Sequence, residues 1–321
     1  MSEADLRPRA DPQFRADVLA GLQGPRRAIP ARWFYDERGS ELFDAITRLP
    51  EYYPTRTETD LLSQCSEDLA LHIEPGAAVI EFGAGSATKT PLLLEAIKPA
   101  IYIPIDISGD YLRSSAQILS NRFPELTVHP VEADFSQDMA LPTDFDSTSR
   151  LGFFPGSTIG NFVPRSSVNL LRHMRDILGE GARLLIGFDR IKSTDILLPA
   201  YDDAEGVTAA FNLNLLHRIN RELQGSIPVD DFSHLVEWND REARVEMHLR
   251  CNRDISFRVA GSEFSMRAGD RIHTENSHKF DLRSIRILLR SGGWTPLTEY
   301  SDDQNWFTLV LAEAAPIHSA P

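Results

Sequence analysis

The stretch VIEFGAGSATKT, from Val79 to Thr90, decides how this chain of 321 residues is read. An apolar run enters a Gly-x-Gly loop and leaves it toward TPLLLEAI, whose apolar spacing is that of a helix. Strand, glycine loop and helix in that order present a ligand site at the carboxyl end of the strand. A triphosphate loop needs Gly-x-x-x-x-Gly-Lys-Ser/Thr. Lys89 and Thr90 are present, but Thr88 stands where the second glycine belongs. A dinucleotide loop needs its third glycine at that same place, so both phosphate readings are incomplete. S-adenosylmethionine carries no phosphate. It requires close backbone approach, which Gly83 and Gly85 permit by lacking a Cβ.

Outward from this loop, short apolar runs alternate with amphipathic helical stretches. AAVIEFG, AIYIPIDI, LTVHPVEADF, LGFFPGSTIGN and ARLLIGFD read as strands; DYLRSSAQILSNRF and VNLLRHMRDIL read as helices. That alternation predicts an α/β fold with a parallel, doubly wound sheet. AYDDAEGVTAAFNLNLLHRINREL reads as one long helical stretch, and ARVEMHLRC, ISFRVAG and FSMRAG as antiparallel strands. LRSIRILLRSGG is a helix, and WTPLTEY with NWFTLVLAEA a hairpin. The expected layout is discontinuous: a cofactor domain over 61–195 and 286–321, and a second, α+β substrate domain over 1–60 and 196–285.

A cofactor over three strand ends explains the acids found there. Asp106 ends IYIPID, twenty-three residues after Gly83, the distance at which an acid meets ribose hydroxyls. Asp134, in VEADF, stands at the end of the third strand to meet adenine, and Phe135 beside it can pack on the ring. Two alternatives stay open: the acids as helix caps, and NAD as the cofactor. At the end of the fourth strand, Asn161 offers both a donor and an acceptor to an amino-acid head group, or else caps the next helix. No Asn-Pro-Pro-Tyr-like sequence is present there, which disfavours adenine and amide substrates.

The composition excludes other classes. A formal net charge of −14 with no Lys/Arg run disfavours nucleic acid, and no apolar run has membrane-spanning length. Cys65 and Cys251 form neither a metal set nor a disulfide framework, and the polar N-terminus is no signal peptide, so a cytoplasmic protein is expected. His248, His273 and His278 complete no metal-ligand set, and no Gly-x-Ser-x-Gly elbow is present. A monomer acting on a small molecule, without metal, is the expectation.

RWFYDERGSELFDAITRLPEYYPTRTE, EFGAGSATKT, GSTIGN, AYDDAEGVTAAFN and TENSHKF, kept in order from about residue 25, together resemble the histidine Nα-methyltransferases of ergothioneine biosynthesis. The resemblance implies a Rossmann-type methyltransferase sheet with a second domain closing over the substrate, and trimethylation of L-histidine to hercynine. It places S-adenosylmethionine on Gly83, Lys89, Asp106, Asp134 and Phe135, with Lys89 pairing the methionyl carboxylate. It places the substrate on Tyr52, Asn161, Tyr201, Met247, Glu275 and Ser277. Asn161 and Tyr201 would hold the head group, Glu275 and Ser277 the imidazole, and Met247 would line the ring pocket. Beside the resemblance, Lys89 also reads as a solvated lysine and Met247 as core. Glu275 and Ser277 are two apart, the strand spacing for one face. A carboxylate can take the imidazole N–H while a hydroxyl donates to the bare nitrogen. Tyr35 or Tyr52 is the candidate to handle the amine proton. Trp33, Phe34, Tyr35, Tyr52 and Tyr53 form an aromatic cluster suited to a quaternary ammonium or to hydrophobic packing.

Overall fold

The computed structural model describes residues 11–316, apart from 86, 88, 138 and 143–148. α1 (Pro12–Gln23) starts at Asp11, whose carboxylate accepts from the backbone N–H groups of Gln13 and Phe14. A 3-10 turn (Ala31–Phe34), α2 (Glu37–Ile46) and α3 (Tyr53–His72) follow. The alternating region runs β1 (Ala78–Phe82), α4 (Thr90–Ile97), β2 (Ile101–Asp106), α5 (Gly109–Arg122), β3 (Thr127–Val128), β4 (Val131–Glu132), β5 (Arg150–Phe154), α6 (Pro164–Leu178) and β6 (Arg183–Asp189). Then come α7 (Thr194–Leu197), α8 (Val207–Glu222), β7 (Phe232–Asn239), β8 (Arg244–Cys251), β9 (Ile255–Val259), β10 (Ser262–Met266) and β11 (Arg271–His278). α9 (Leu282–Ser291), β12 (Trp294–Ser301) and β13 (Phe307–Ala314) complete the order. Among the described residues no helix is long and apolar enough to cross a membrane.

Two compact units divide the chain. The first takes the chain up to Ile46, Tyr201–Trp238 and Glu246–Glu275; the second takes Thr47–Ala200, Asn239–Val245 and the chain from Asn276 on. In the second unit one sheet has the order β12-β13-β6-β5-β1-β2-β3, with β4 also paired to β2. β1 runs parallel to β2 and β5, and β5 parallel to β6, while β13 is antiparallel to both β6 and β12. The central strands β1, β2, β5 and β6 are mostly apolar, as strands covered by helices on both faces are. Ile80, Phe82, Ile103 and Ile186 pack with Leu170, Met174, Ile285 and Leu289 of α6 and α9. Val79, Tyr102, Phe153 and Leu185 pack with Leu62, Leu69 and Leu94 of α3 and α4. The chain moves outward from β1 to β2 and β3, then returns to β5 on the other side of β1. The loops after β1 and β5 thus flank the switch point where open α/β sheets take ligands.

In the first unit α2 packs on α8, and β9 and β10 form a hairpin. Trp33 stacks on Phe14 and donates Nε1–H to Asp17, and Phe34 packs on Phe211. Strands β11, β8 and β7 form a three-stranded sheet in that order.

Several elements depart from expectation. Residues 47–60, 196–200, 239–245 and 276–285 group with the parallel sheet, not with the second domain; α3 lies against α4 and β13, and α9 against α6. The third strand is two short pieces broken at Pro130, which has no N–H for a ladder. The long helical stretch begins only at Val207: Gly206 turns left-handed at φ +73°, and the Asp203 carboxylate accepts from the N–H groups of Val207 and Thr208. FSHLVEWN, now β7, is a strand that the periodicity did not reveal.

Candidate active site

The glycine loop is held in place from beneath by the acid of the next strand. Gly83 and Gly85 have φ of +73° and +49°, the region that glycine enters without penalty. The N–H groups of Gly83 and Ala84 donate to Ile105 O at 2.9 and 3.1 Å. Gly85 N–H donates to Asp106 Oδ2 at 3.0 Å, and Ser108 N–H to Asp106 Oδ1 at 2.9 Å. Asp106 therefore locks the loop conformation, and each of its oxygens keeps a lone pair for another donor. The sequence offers Asp106 as a ligand acid or a helix cap, and its hold on the Gly85 N–H is visible only in the fold.

Lys89, at the start of α4, is mostly buried and paired with Glu58 of α3, which is fully buried. Its reading as a solvated lysine is thereby excluded. Glu58 also accepts Gly156 N–H at 2.8 and 3.0 Å, tying the loop after β5 to the same lysine. Gly187 on β6 makes room for this carboxylate: a Cβ there would sit 2.3 Å from Glu58 Oε1. A second buried acid, Glu81 on β1, accepts from Thr90 Oγ1 and Tyr102 OH at 2.7 Å each. Burial pushes its carboxyl up to about 7 against the hydrogen bonds of Tyr102 and Thr90. Both acids were missed. The one available signal was an acid inside a fully apolar strand, VIEF.

Asp134, Phe135 and Asn161 follow strands of the same sheet. The Asp134 carboxylate accepts from Ser136 N–H at 2.9 Å and begins no described helix, so it caps none. Phe135 packs edge-on against Phe82 and Phe154, and a Cβ on Gly83 would lie 3.3 Å from its ring. The aromatic thus closes directly over the first glycine. Asn161 ends a 3-10 turn (Thr158–Asn161), while α6 is capped at Val163 without a side-chain bond. Its alternative reading as the cap of α6 is excluded. Tyr52 precedes α3, and its carbonyl accepts from Arg56. Ser277, 6% exposed, accepts from Lys279 Nζ.

Tyr35, Tyr201, Met247 and Glu275 belong to the first unit. The Tyr35 ring meets Phe43 and Phe211 edge-on, at 5.7 Å each. Tyr201 is buried, and its carbonyl accepts from His234 Nε2 at 2.8 Å. Asn212 Nδ2 donates to the other ring nitrogen of His234 at 2.8 Å, which fixes the imidazole as neutral; burial also lowers its pKa. Met247 is 2% exposed on β8, with core-like burial. Glu275 lies on β11, two residues before Ser277. Of the aromatic cluster, Trp33 and Phe34 serve packing in the first unit, and Tyr53 donates its hydroxyl to buried Asp189 in the second.

Comparison with known proteins gives these features a context. A family model described as histidine-specific methyltransferase, SAM-dependent, matches residues 14–314. The histidine N-alpha-methyltransferase of Mycolicibacterium smegmatis is 39% identical over 305 residues, which cover 93% of this chain and 94% of that protein. The histidine N-alpha-methyltransferase of Mycobacterium tuberculosis is 36% identical over 306 residues, covering 93% of this chain and 94% of that protein. Ergothioneine biosynthesis protein 1 of Neurospora crassa is 29% identical over 299 residues, covering 91% of this chain and 34% of that protein.

Proposed function

The chain belongs to the family of S-adenosylmethionine-dependent, histidine-specific methyltransferases, and on that premise we propose that it trimethylates the α-amine of L-histidine to hercynine, in ergothioneine biosynthesis. The observation that carries the reading is the glycine loop pinned on Asp106 at the switch point, within a match that spans nearly the whole chain. A cytoplasmic location accords with it.

In this account Asp106 accepts the ribose hydroxyls, Asp134 and Phe135 meet the adenine, and Gly83 and Gly85 admit the cofactor to the backbone. Lys89 pairs with the methionyl carboxylate, sharing its charge with Glu58. Asn161 and Tyr201 hold the amino-acid head group. Glu275 accepts the imidazole N–H, Ser277 donates to the other ring nitrogen, and Tyr52 and Met247 line the pocket.

The α-amine is the nucleophile. S-adenosylmethionine held by these residues would supply a sulfonium methyl group to the amine's lone pair, its sulfur departing as a neutral thioether. An ammonium has no lone pair, so histidine and each of the first two products must lose a proton before the next transfer. In a free amino acid the neighbouring carboxylate favours the ammonium more than a peptide bond does, so proton removal near neutrality calls on the site. Tyr35 or Tyr52 takes or orients that proton. Positioning and exclusion of water supply the rest of the acceleration.

The test is a competition. The protein is incubated with S-adenosylmethionine and an equimolar mixture of the twenty amino acids, and methylated products are identified by mass. Histidine is expected to be methylated first and to the greatest extent. Preferential methylation of another amino acid would assign the same fold to a different substrate.

A further inference from the structure

Ser277 does not stand alone. Lys279, two residues further along, donates Nζ–H to Ser277 Oγ at 2.8 Å and to Asp189 Oδ2 at 2.6 Å. The Lys279 and Asp189 side chains are 0% and 1% exposed. Asp189, at the end of β6, also accepts from Tyr53 OH at 2.8 and 2.9 Å and from Lys192. Its backbone N–H donates to Ser157 Oγ, and its carbonyl accepts from Phe280 N–H, at 2.9 Å each. Burial alone would raise the Asp189 carboxyl; Lys279 and Lys192 outweigh it and hold it below its ordinary value. The lysine that meets Ser277 is thus fixed at its far end by a charged, buried anchor.

The consequence is one of hydrogen-bond direction. A serine hydroxyl has one hydrogen and two lone pairs, whereas an ammonium only donates. With a lone pair of Ser277 Oγ taken by Lys279, the hydroxyl hydrogen must point away from the lysine. One lone pair remains, but accepting from an ammonium polarises the hydroxyl, so toward a third group Ser277 is the stronger donor and the weaker acceptor. A neutral imidazole offers a bare nitrogen to such a donor; an imidazolium offers only N–H groups.

Resting on the assignment of Ser277 to the imidazole, we propose that Lys279, anchored by Asp189, is a positioning residue that biases the Ser277 hydroxyl toward donation and so makes the site favour the neutral ring through its bare nitrogen.

A double-mutant cycle tests this. Steady-state kcat and KM for histidine, and the Kd for S-adenosylhomocysteine, are measured for Ser277→Ala, Lys279→Met and the pair. Lys279→Met leaves Asp189 with Lys192 and Tyr53 as partners; if it does not fold, Lys279→Gln takes its place in the cycle. Each single variant is expected to raise KM about tenfold, the effect of one hydrogen bond. kcat and cofactor Kd are expected to stay within a few-fold. The pair is expected to be no worse than Ser277→Ala, because Lys279 acts only through that hydroxyl. Lys279→Arg, which keeps a donor-only cation, is expected to recover most of the histidine affinity. Losses that multiply, or a lysine variant with unchanged KM, overturn the inference while the role of Ser277 stands. An unchanged KM in Ser277→Ala removes Ser277 from the imidazole and overturns the inference at its premise, whereas histidine methylation itself is judged separately by product mass.

Discussion

Replacing Asp106 by alanine removes two things at once. Its oxygens accept Gly85 N–H at 3.0 Å and Ser108 N–H at 2.9 Å, and the proposed site adds the ribose diol. A carboxylate has about four lone-pair positions, so two remain for that diol. One hydrogen bond to a charged group contributes about 1.5–3 kcal/mol, which corresponds to roughly a 10- to 150-fold weaker cofactor. The glycine loop also loses its anchor, so the measured loss is expected toward the upper end of this range. Asparagine is no conservative substitute here. Each oxygen faces a backbone N–H, so the amide nitrogen must be turned against one of them. Both variants are expected to keep the fold, since Asp106 is only half-buried at a strand end. The assay is calorimetric titration with S-adenosylhomocysteine, alongside circular dichroism and Tm. An Asp106→Ala protein that is folded and binds the ligand with unchanged Kd refutes the assignment.

Three further outcomes are expected. Gly83→Ala places a Cβ 3.3 Å from Phe135 at a φ of +73°, so cofactor affinity should fall at least tenfold in a titration, with little change in histidine KM at saturating cofactor. Glu81 has its carboxyl raised from 4.5 to about 7, so the native state holds a proton that the unfolded state releases, and stability falls as pH rises through that window. The Tm of Glu81→Gln relative to the natural protein is therefore expected to climb between about pH 4.5 and 7 and then level off; a pH-independent difference contradicts it. Glu275→Ala is expected to lower kcat/KM for histidine several-fold to about 100-fold and to narrow the gap to phenylalanine and tryptophan, because the carboxylate that penalises apolar rings is gone. Equal losses on all three amino acids would reassign Glu275 to structural support.

What the sequence disclosed, and what it hid, follows from the range of the interactions. β1, β2, β5 and β6 are legible because strands buried on both faces are continuous apolar runs, and the positive φ of Gly83 and Gly85 is written in residue type. Asp106 was legible as a strand-end acid at a telling distance, though its grip on Gly85 was not. Glu58 meets Lys89 across 31 positions, and Asp189 meets Lys279 across 90 and Tyr53 across 136. Such pairs leave no periodic trace in a single chain. Tyr53 illustrates the cost: by composition it belongs with an aromatic cluster, yet its hydroxyl completes a buried ion cluster in the fold. The split third strand turns on Pro130, whose missing N–H is readable only once its neighbours in the sheet are known.

The most direct test of the account is the product formed from L-histidine with excess S-adenosylmethionine, followed over time by mass and located by fragmentation. Three methyl groups, all on the α-nitrogen, are expected to accumulate at the end of turnover, with the mono- and dimethylated forms consumed as substrates. Methylation on an imidazole nitrogen, arrest at one methyl under prolonged turnover, or no transfer to histidine by a folded, cofactor-binding protein would contradict it.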